Sequence, residues 1–294
     1  ERNSCMSHAI IIPIYCENRN TINLCNELQN FGAEHIVVVN DGLNPESEYF
    51  NELTSIGCHL VHLKNNNGKG ASLKAGIKYA HDNLYNITGY ITCDADGQHT
   101  ANDVMKISRM LDLRNGSLIL GKRDYKKSKM PINIRIGNRL SSAYFKVITG
   151  KSCKDTQTGL RGIPAFLYDT VMKTKGSRFD FEMNFLTKCA DMRVPFYFVN
   201  IIADCSNCSS NFRLIKDTYL IYRTPLRFAT ASIGCTIIDL VLFTIFAYIL
   251  PSHMFFNIML ATLMARVVSG GINFLINRKV IFGNTDNGAK QALR

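Results

Sequence analysis

Short apolar runs alternate with amphipathic stretches from the start of the chain. "HAIIIPIY" is followed by a helical pattern over 17–31, "HIVVVND" by one over 46–56, "CHLVHL" by 69–83 and "GYITCD" by 102–113; "SLILGKR" closes the series. Unbroken Ile, Val and Leu runs between helical patterns predict strands covered on both faces, hence an α/β fold with a largely parallel sheet and crossover helices. Ligands of such sheets sit beyond the carboxyl ends of the strands. The polar residues at those ends are therefore the candidates: Tyr15-Cys16-Glu17, Asn40-Asp41-Gly42, Asn65 to Gly70, Asp94 to Gln98, and Lys122-Arg123-Asp124.

After residue 130 the pattern changes to "INIRIGNRLSSAYFKVITG", "DTQTGLRGIP" and "SRFDFEMNFL", which read as an elaboration of the same domain. The segment 212–227, "FRLIKDTYLIYRTPLR", mixes apolar and aromatic residues with Lys and Arg and predicts a juxtamembrane helix lying at an interface. Beyond it the composition breaks. Between Phe228 and Asn277 the only charged residues are Asp239 and Arg266, and the stretches 228–250 and 254–276 are each long enough to cross a bilayer, with Pro251-Ser252-His253 as the turn. Arg223 and Arg227 precede the first stretch and Arg278 and Lys279 follow the second, while the turn has neither Lys nor Arg. The positive-inside rule puts both outer ends in the cytosol. The expected organisation is a cytosolic domain over 1–211, the interfacial helix 212–227, a transmembrane hairpin within 228–282 and a cytosolic tail 283–294.

A charge at the centre of a membrane helix costs about 2.5–3.5 kcal/mol on insertion scales. In an antiparallel hairpin Asp239 and Arg266 fall at the same depth, near the midplane, so they are expected to pair. Ser269-Gly270-Gly271 is expected to let the helix backbones approach closely. The alternative is that each charge faces another subunit or a defect lined by lipid headgroups.

Composition narrows the partners. With 294 residues and 46% hydrophobic positions the chain builds a real core, which excludes a disordered protein. A formal net charge of +11 suits nucleic acid, an anionic membrane or a phosphorylated substrate. No nucleic-acid-binding motif or aromatic-interleaved basic stretch is present, so nucleic acid is not an expected partner. The ten cysteines form no regular framework; Cys205 and Cys208 make the only C-x-x-C, and a metal or disulfide there is the minority reading against reduced thiols. No basic-then-apolar leader precedes the first strand, so the N-terminal part is expected to stay in the cytosol.

Against this basic background, "ITCDADGQH" sets Asp94 and Asp96 one residue apart where an apolar run ends. A calcium loop fails, because the glycine falls at the wrong position and Met105 stands where a bidentate Glu is needed. Two readings stay open: a solvated strand end with no role, or an oxygen clamp holding Mg²⁺ or Mn²⁺ against a diphosphate that supplies the other ligands.

Taken in order, "IIPIYCEN", "VVVNDG", "NNNGKGASLKAG", "CDADGQH", "GKR", "DTQTGLRG" and "FDFE" resemble the family 2 inverting glycosyltransferases of the GT-A (Rossmann-like) fold, and among them the dolichyl- and undecaprenyl-phosphate hexosyltransferases. The tail is similar to the GtrA-like membrane family through "RFATASIGCTIID" and "ARVVSGGINFLINRKVIF". That family usually has more spans than the two here, so anchoring or homo-oligomerisation is expected in place of translocation.

The resemblance implies roles. Pro13, Tyr15 and Glu17 form the first nucleotide-contacting loop, and Asp41 accepts hydrogen bonds from the base. Departures occur at Cys16, where Asn is usual before the Glu, and at Asn40, where an acid is usual, so the base is left open. Lys69 and Arg123 lie near the nucleotide sugar, against an ordinary glycine-flanked loop as the alternative for Lys69. Asp94 points toward the nucleotide and ribose and belongs with Asp96 and Gln98 to the metal set. Asp155 and Gln157, with Arg161 near them, lie beside the diphosphate and sugar, and count with Asp96, Arg135 and Arg139 as catalytic. Glu182 binds sugar hydroxyls or an acceptor-side cation-binding group, or else makes a structural salt bridge. Arg135, Arg139, Ser210 and Arg213 cradle the lipid phosphate, because Arg forks match phosphate geometry. The implied reaction moves a hexose from a nucleotide sugar of the GDP-mannose or UDP-glucose type to a polyprenyl phosphate with inversion, at the cytosolic face of a membrane. The competing readings are a non-catalytic membrane scaffold and a soluble sugar nucleotidyltransferase; the latter lacks its Gly-rich, Arg-containing loop after the first strand.

Overall fold

The computed structural model describes residues 8–123, 132–202, 214–249 and 255–276. They divide into two compact units, the first ending at Asp217 and the second beginning at Thr218.

In the first unit the five predicted strands form: β1 (His8–Ile14), β2 (His35–Asp41), β3 (His59–Leu63), β4 (Gly89–Thr92) and β5 (Leu118–Arg123). Between them lie α1 (Arg19–Asn30), α2 (Glu48–Ser55), α3 (Lys69–Asn83) and α4 (Ala101–Leu113). Asn18, Ser47 and Thr100 cap α1, α2 and α4, each accepting from a backbone N–H of the first turn. Along β1, Ile10, Ile12 and Ile14 pack with α1, α2 and α4, whereas Ala9 and Ile11 pack with α3 on the other face. Burial on both faces is what the unbroken apolar runs require.

The sheet continues with two strands the hydrophobic pattern did not mark, β6 (Arg161–Pro164) and β7 (Phe196–Ile201). Its order is β3-β2-β1-β4-β6-β5-β7, and β6 runs antiparallel to both β4 and β5. The sheet is therefore mixed, and "DTQTGLRGIP" is not peripheral: its last four residues fill the gap between β4 and β5. Because β6 is reversed, its amino end pairs with the carboxyl end of β4, Arg161 opposite Thr92. That brings the loop before it to the ligand-binding edge. The remaining helices of this unit are α5 (Ile132–Thr149), α6 (Tyr168–Lys173) and α7 (Phe179–Asp191).

The second unit holds α8 (Leu214–Ile249) from Thr218 onward and all of α9 (Phe255–Ile276), which form an apolar hairpin. The helix runs without interruption through 227/228, so the expected interfacial helix and first span are one element. Windows Ser232–Ile249 and Asn257–Leu275 have mean hydropathies of 2.0 and 1.6 yet are only 6% and 17% buried. Arg266 Nε lies 3.4 Å from Asp239 Oδ2, and Ser269 Oγ donates to Asp239 Oδ1 at 2.7 Å. The expected approach at Gly270 and Gly271 does not occur: both are exposed, and a Cβ on either would meet nothing within 4 Å. Among the described side chains, the buried positions of α9 are Ala261, Ala265 and Ser269, one per turn, and that of α8 is Cys235. Small residues do line the contact, on the stripe one position before the glycines.

Candidate active site

The carboxyl ends of β1, β2, β4 and β5 and the amino end of β6 share one edge of the sheet. The strand order reverses its winding there between β1 and β4, the usual crevice for a ligand. Pro13 is buried within β1, and Tyr15 and Glu17 stand exposed just past it. At the end of β2, Asp41 Oδ1 accepts from Asn67 N at 2.8 Å and Oδ2 from Gly68 N at 2.9 Å. Both oxygens of the expected base-binding carboxylate thus hold the loop that enters α3. Asn40, standing where an acid is usual, bonds Leu43 through both its amide atoms and closes the turn after β2.

That loop delivers Lys69, the first residue of α3, to the centre of the site. Its Nζ lies 2.6 Å from Asp94 Oδ1 and 3.0 Å from Glu182 Oε1. Three parts of the chain distant in sequence, the start of α3, the loop after β4 and the first turn of α7, meet on one ammonium. Burial alone would lower the Lys69 pKa, but the two carboxylates outweigh it and hold the group above its ordinary value. Burial likewise opposes ionisation of Asp94, and Lys69, with His99 and Arg123 behind it, overcomes that and brings its pKa down to about 2. Glu182 takes the salt-bridging alternative named for it above.

The rest of the loop is built around Asp96. Gln98 donates to it twice, backbone N to Oδ1 at 3.0 Å and Nε2 to Oδ2 at 2.6 Å. Gly97 allows the turn, with φ at +84° and a Cβ there 2.7 Å from the Asn20 amide. Asp94 N donates to His99 Nδ1 at 3.1 Å, which leaves the ring proton on Nε2; burial lowers the pKa of this imidazole. Asp96 differs from Asp94 in having no salt bridge among the described residues. Burial first, and then the neighbouring Asp94 charge, raise its pKa.

The donors at this loop are all oxygens, and no three His, Cys, Asp or Glu side chains converge into a metal-holding group among the described residues. A hard divalent cation bound through one or two protein oxygens and otherwise by substrate phosphates fits that set. Asp96, partly buried and with no salt bridge among the described residues, is the side chain such an ion would relieve. Asp94, expected in the metal set, has one oxygen on Lys69 and the other against Gly159, where any Cβ would overlap the carboxylate. Sequence reading missed Gly159; the signal was the Gly inside "DTQTGLRG", whose meaning depends on a contact made 65 positions away in the chain.

Asp155 departs most from expectation. It is 0% exposed and grips Arg123 with two parallel bonds, Nε to Oδ2 at 2.7 Å and Nη2 to Oδ1 at 2.8 Å. The pair ties the loop ahead of β6 to the carboxyl end of β5. Arg161 is a second bolt: it donates to Thr158 O, Glu182 O and Thr156 O at 2.9, 3.0 and 3.2 Å. Gln157 emerges from the loop these hold, its Nε2 3.9 Å from a Cβ built on Gly137 of α5. Arg135 and Arg139 stand one turn apart on α5, the first partly buried and the second exposed. Ser210, Arg213 and the Cys205/Cys208 pair lie outside the described residues.

A sheet of this order with an Asp-x-Asp-x-Gln loop past β4 is the frame of a GT-A-type enzyme, and the chain belongs to glycosyl transferase family 2, whose model matches residues 9–169. It is similar to an uncharacterised protein of Methanocaldococcus jannaschii, 32% identical over 60% of this chain and 73% of that protein. It is also similar to a UDP-N-acetylglucosamine–dolichyl-phosphate N-acetylglucosaminyltransferase of Methanococcus voltae, 30% identical over 52% of this chain and 67% of the relative. Among solved structures, glucosyl-3-phosphoglycerate synthase of Mycobacterium tuberculosis with Mn²⁺ and UDP-glucose shares the fold at a TM-score of 0.55 and 12% identity, over 75% of this chain and 76% of that one. A further mycobacterial protein matches at a TM-score of 0.52 and 12% identity, and the chain spans 64% of its length while 66% of this chain is covered.

Proposed function

We propose that this chain is a membrane-bound, inverting, metal-dependent glycosyltransferase that moves a hexose or N-acetylhexosamine from a nucleoside diphosphate sugar to a polyprenyl phosphate. The observation that carries this reading is the divided Asp-x-Asp pair: Asp94 is neutralised by Lys69, whereas Asp96, held by Gln98, has no salt bridge among the described residues. The relative from Methanococcus voltae, named for a dolichyl-phosphate acceptor, supports the acceptor class. The two exposed apolar helices support membrane attachment, with the Lys and Arg flanks favouring the cytosolic face.

Mg²⁺ or Mn²⁺ held at Asp96 and Gln98 would offset the charge on the departing diphosphate. The chain supplies the rest by position. Asp41 sets the loop ahead of α3, and Lys69 keeps Asp94 ionised and ties Asp94 and Glu182 together. Arg123 with Asp155, and Arg161 with its three carbonyls, hold the strand-end loop carrying Gln157 toward the sugar. Arg135 and Arg139 are offered to the acceptor phosphate. A phosphate acceptor is already ionised at neutral pH, so attack on the anomeric carbon needs no strong base. Burial of Asp155 is compatible with that.

The test is the full chain in detergent with Mn²⁺, a short polyprenyl phosphate and a panel of radiolabelled UDP- and GDP-sugars. Labelled lipid from one donor supports the proposal; labelled lipid from none overturns it in favour of a scaffold.

A further inference from the structure

The outer face of α5 is built the wrong way round for a helix in water. Its buried face carries Asn138, Ser141 and Phe145, at 3%, 1% and 1% exposure. The opposite face carries Ile136, Leu140 and Val147 at 52%, 60% and 84%, with Ala143 also exposed. The spacing 136, 140, 143, 147 keeps these four within about 60° of arc at 3.6 residues per turn. Ile148, at 48%, widens the strip at its end. Single exposed apolar residues are ordinary, but a continuous seam along about three turns is not.

Charge decides what covers the seam. On one flank stand Arg135, Arg139 and Lys146, and α5 contains no Asp or Glu. An apolar strip bordered by a one-sided basic rail complements an anionic lipid surface: the strip enters the headgroup boundary and the rail meets lipid phosphates. The same chain carries two apolar helices whose faces are also uncovered, so a bilayer is the medium it already requires.

We propose that α5 is a membrane-docking helix of the catalytic unit, resting on an anionic bilayer through Ile136, Leu140, Ala143 and Val147. This rests on the membrane attachment proposed above. It gives Arg135 and Arg139 a second setting, since a phosphate-binding pair on this rail meets its lipid substrate at the depth where the lipid phosphate lies.

The chain contains no Trp, so one introduced Trp is its only indole. The full chain is reconstituted into phosphatidylglycerol–phosphatidylcholine vesicles with bromines on the upper acyl chains, with single Val147→Trp, Leu140→Trp, Leu240→Trp or Tyr85→Trp substitutions. Leu240 reports the hairpin; Tyr85 is an exposed site remote from α5 in sequence. The expected result is loss of emission for Val147→Trp, Leu140→Trp and Leu240→Trp, with Tyr85→Trp unaffected. If both α5 variants behave like Tyr85→Trp while Leu240→Trp is quenched, another protein surface covers α5 and the inference is overturned, with membrane attachment standing. If Leu240→Trp is not quenched either, membrane attachment fails and the inference with it.

Discussion

The Lys69 ammonium lies 2.6 Å from the Asp94 carboxylate, so the first acid of the Asp-x-Asp pair is neutralised from within the protein. Lys69→Met removes the one group that offsets Asp94 and Glu182 together. A loss on the order of 3 kcal/mol is expected, as for other largely buried charges left without a partner. The pH dependence has a definite sign. Asp94 is held down to about 2 from 3.8, so its stabilising contribution is complete above the unfolded value and disappears as pH falls through the folded one. The gap in thermal midpoint between the native chain and Lys69→Met should therefore narrow between about pH 4 and pH 2. A gap that is constant over that range would show that the ion pair contributes nothing.

Gly159→Ala tests the packing behind Asp94. The new methyl group would occupy the space of the carboxylate, so Asp94 must turn off Lys69. Overpacking of this kind costs about 1–3 kcal/mol. Transfer should fall by at least tenfold, since even small misplacement of a site group costs about that much or more. Native-like kinetics in a folded Gly159→Ala protein would contradict the contact.

Asp155 and Asp96 should separate by phenotype. Arg123→Gln leaves Asp155 as an unpaired charge at 0% exposure, and a loss of about 3–5 kcal/mol is expected in unfolding measurements. Asp96→Asn removes no salt bridge and should leave stability within about 0.5 kcal/mol while abolishing transfer. Equal stability of the two variants would contradict the division between a structural and a functional carboxylate.

How much of this could be read in advance follows from which interactions are local. β1 to β5 were legible because each is an unbroken apolar run bounded by helical patterns. β6 was not, because its four residues include a Gly and a Pro and its pairing with β4 and β5 is a tertiary fact. β7 was not either, because its apolar run, Phe196 to Val199, is only four residues long and fits a strand or a helix segment equally. The polar loops at one end of the sheet were legible because polar residues concentrate where parallel strands end. Their pairings were not, since Lys69 meets Glu182, and Arg123 meets Asp155, only across the fold. In the hairpin, equal depth located Asp239 opposite Arg266 from sequence position alone. It could not say which face of α9 turns inward, which is why the glycines were expected at the contact and Ala265 was not.

That helix face gives its own prediction. Ala265 is 1% exposed at the α8–α9 contact, whereas Gly270 has open space around it. Ala265→Leu should lower the thermal midpoint of the detergent-solubilised chain, and Gly270→Leu should not. The reverse order would place the contact on the glycine face.

The most direct test of the functional account is sugar transfer to a short polyprenyl phosphate by the Asp96→Ala chain beside the native chain, with and without Mn²⁺. The account predicts Mn²⁺-dependent labelled lipid from the native chain and none from Asp96→Ala, with both proteins folded. Undiminished Mn²⁺-dependent turnover by Asp96→Ala would contradict it.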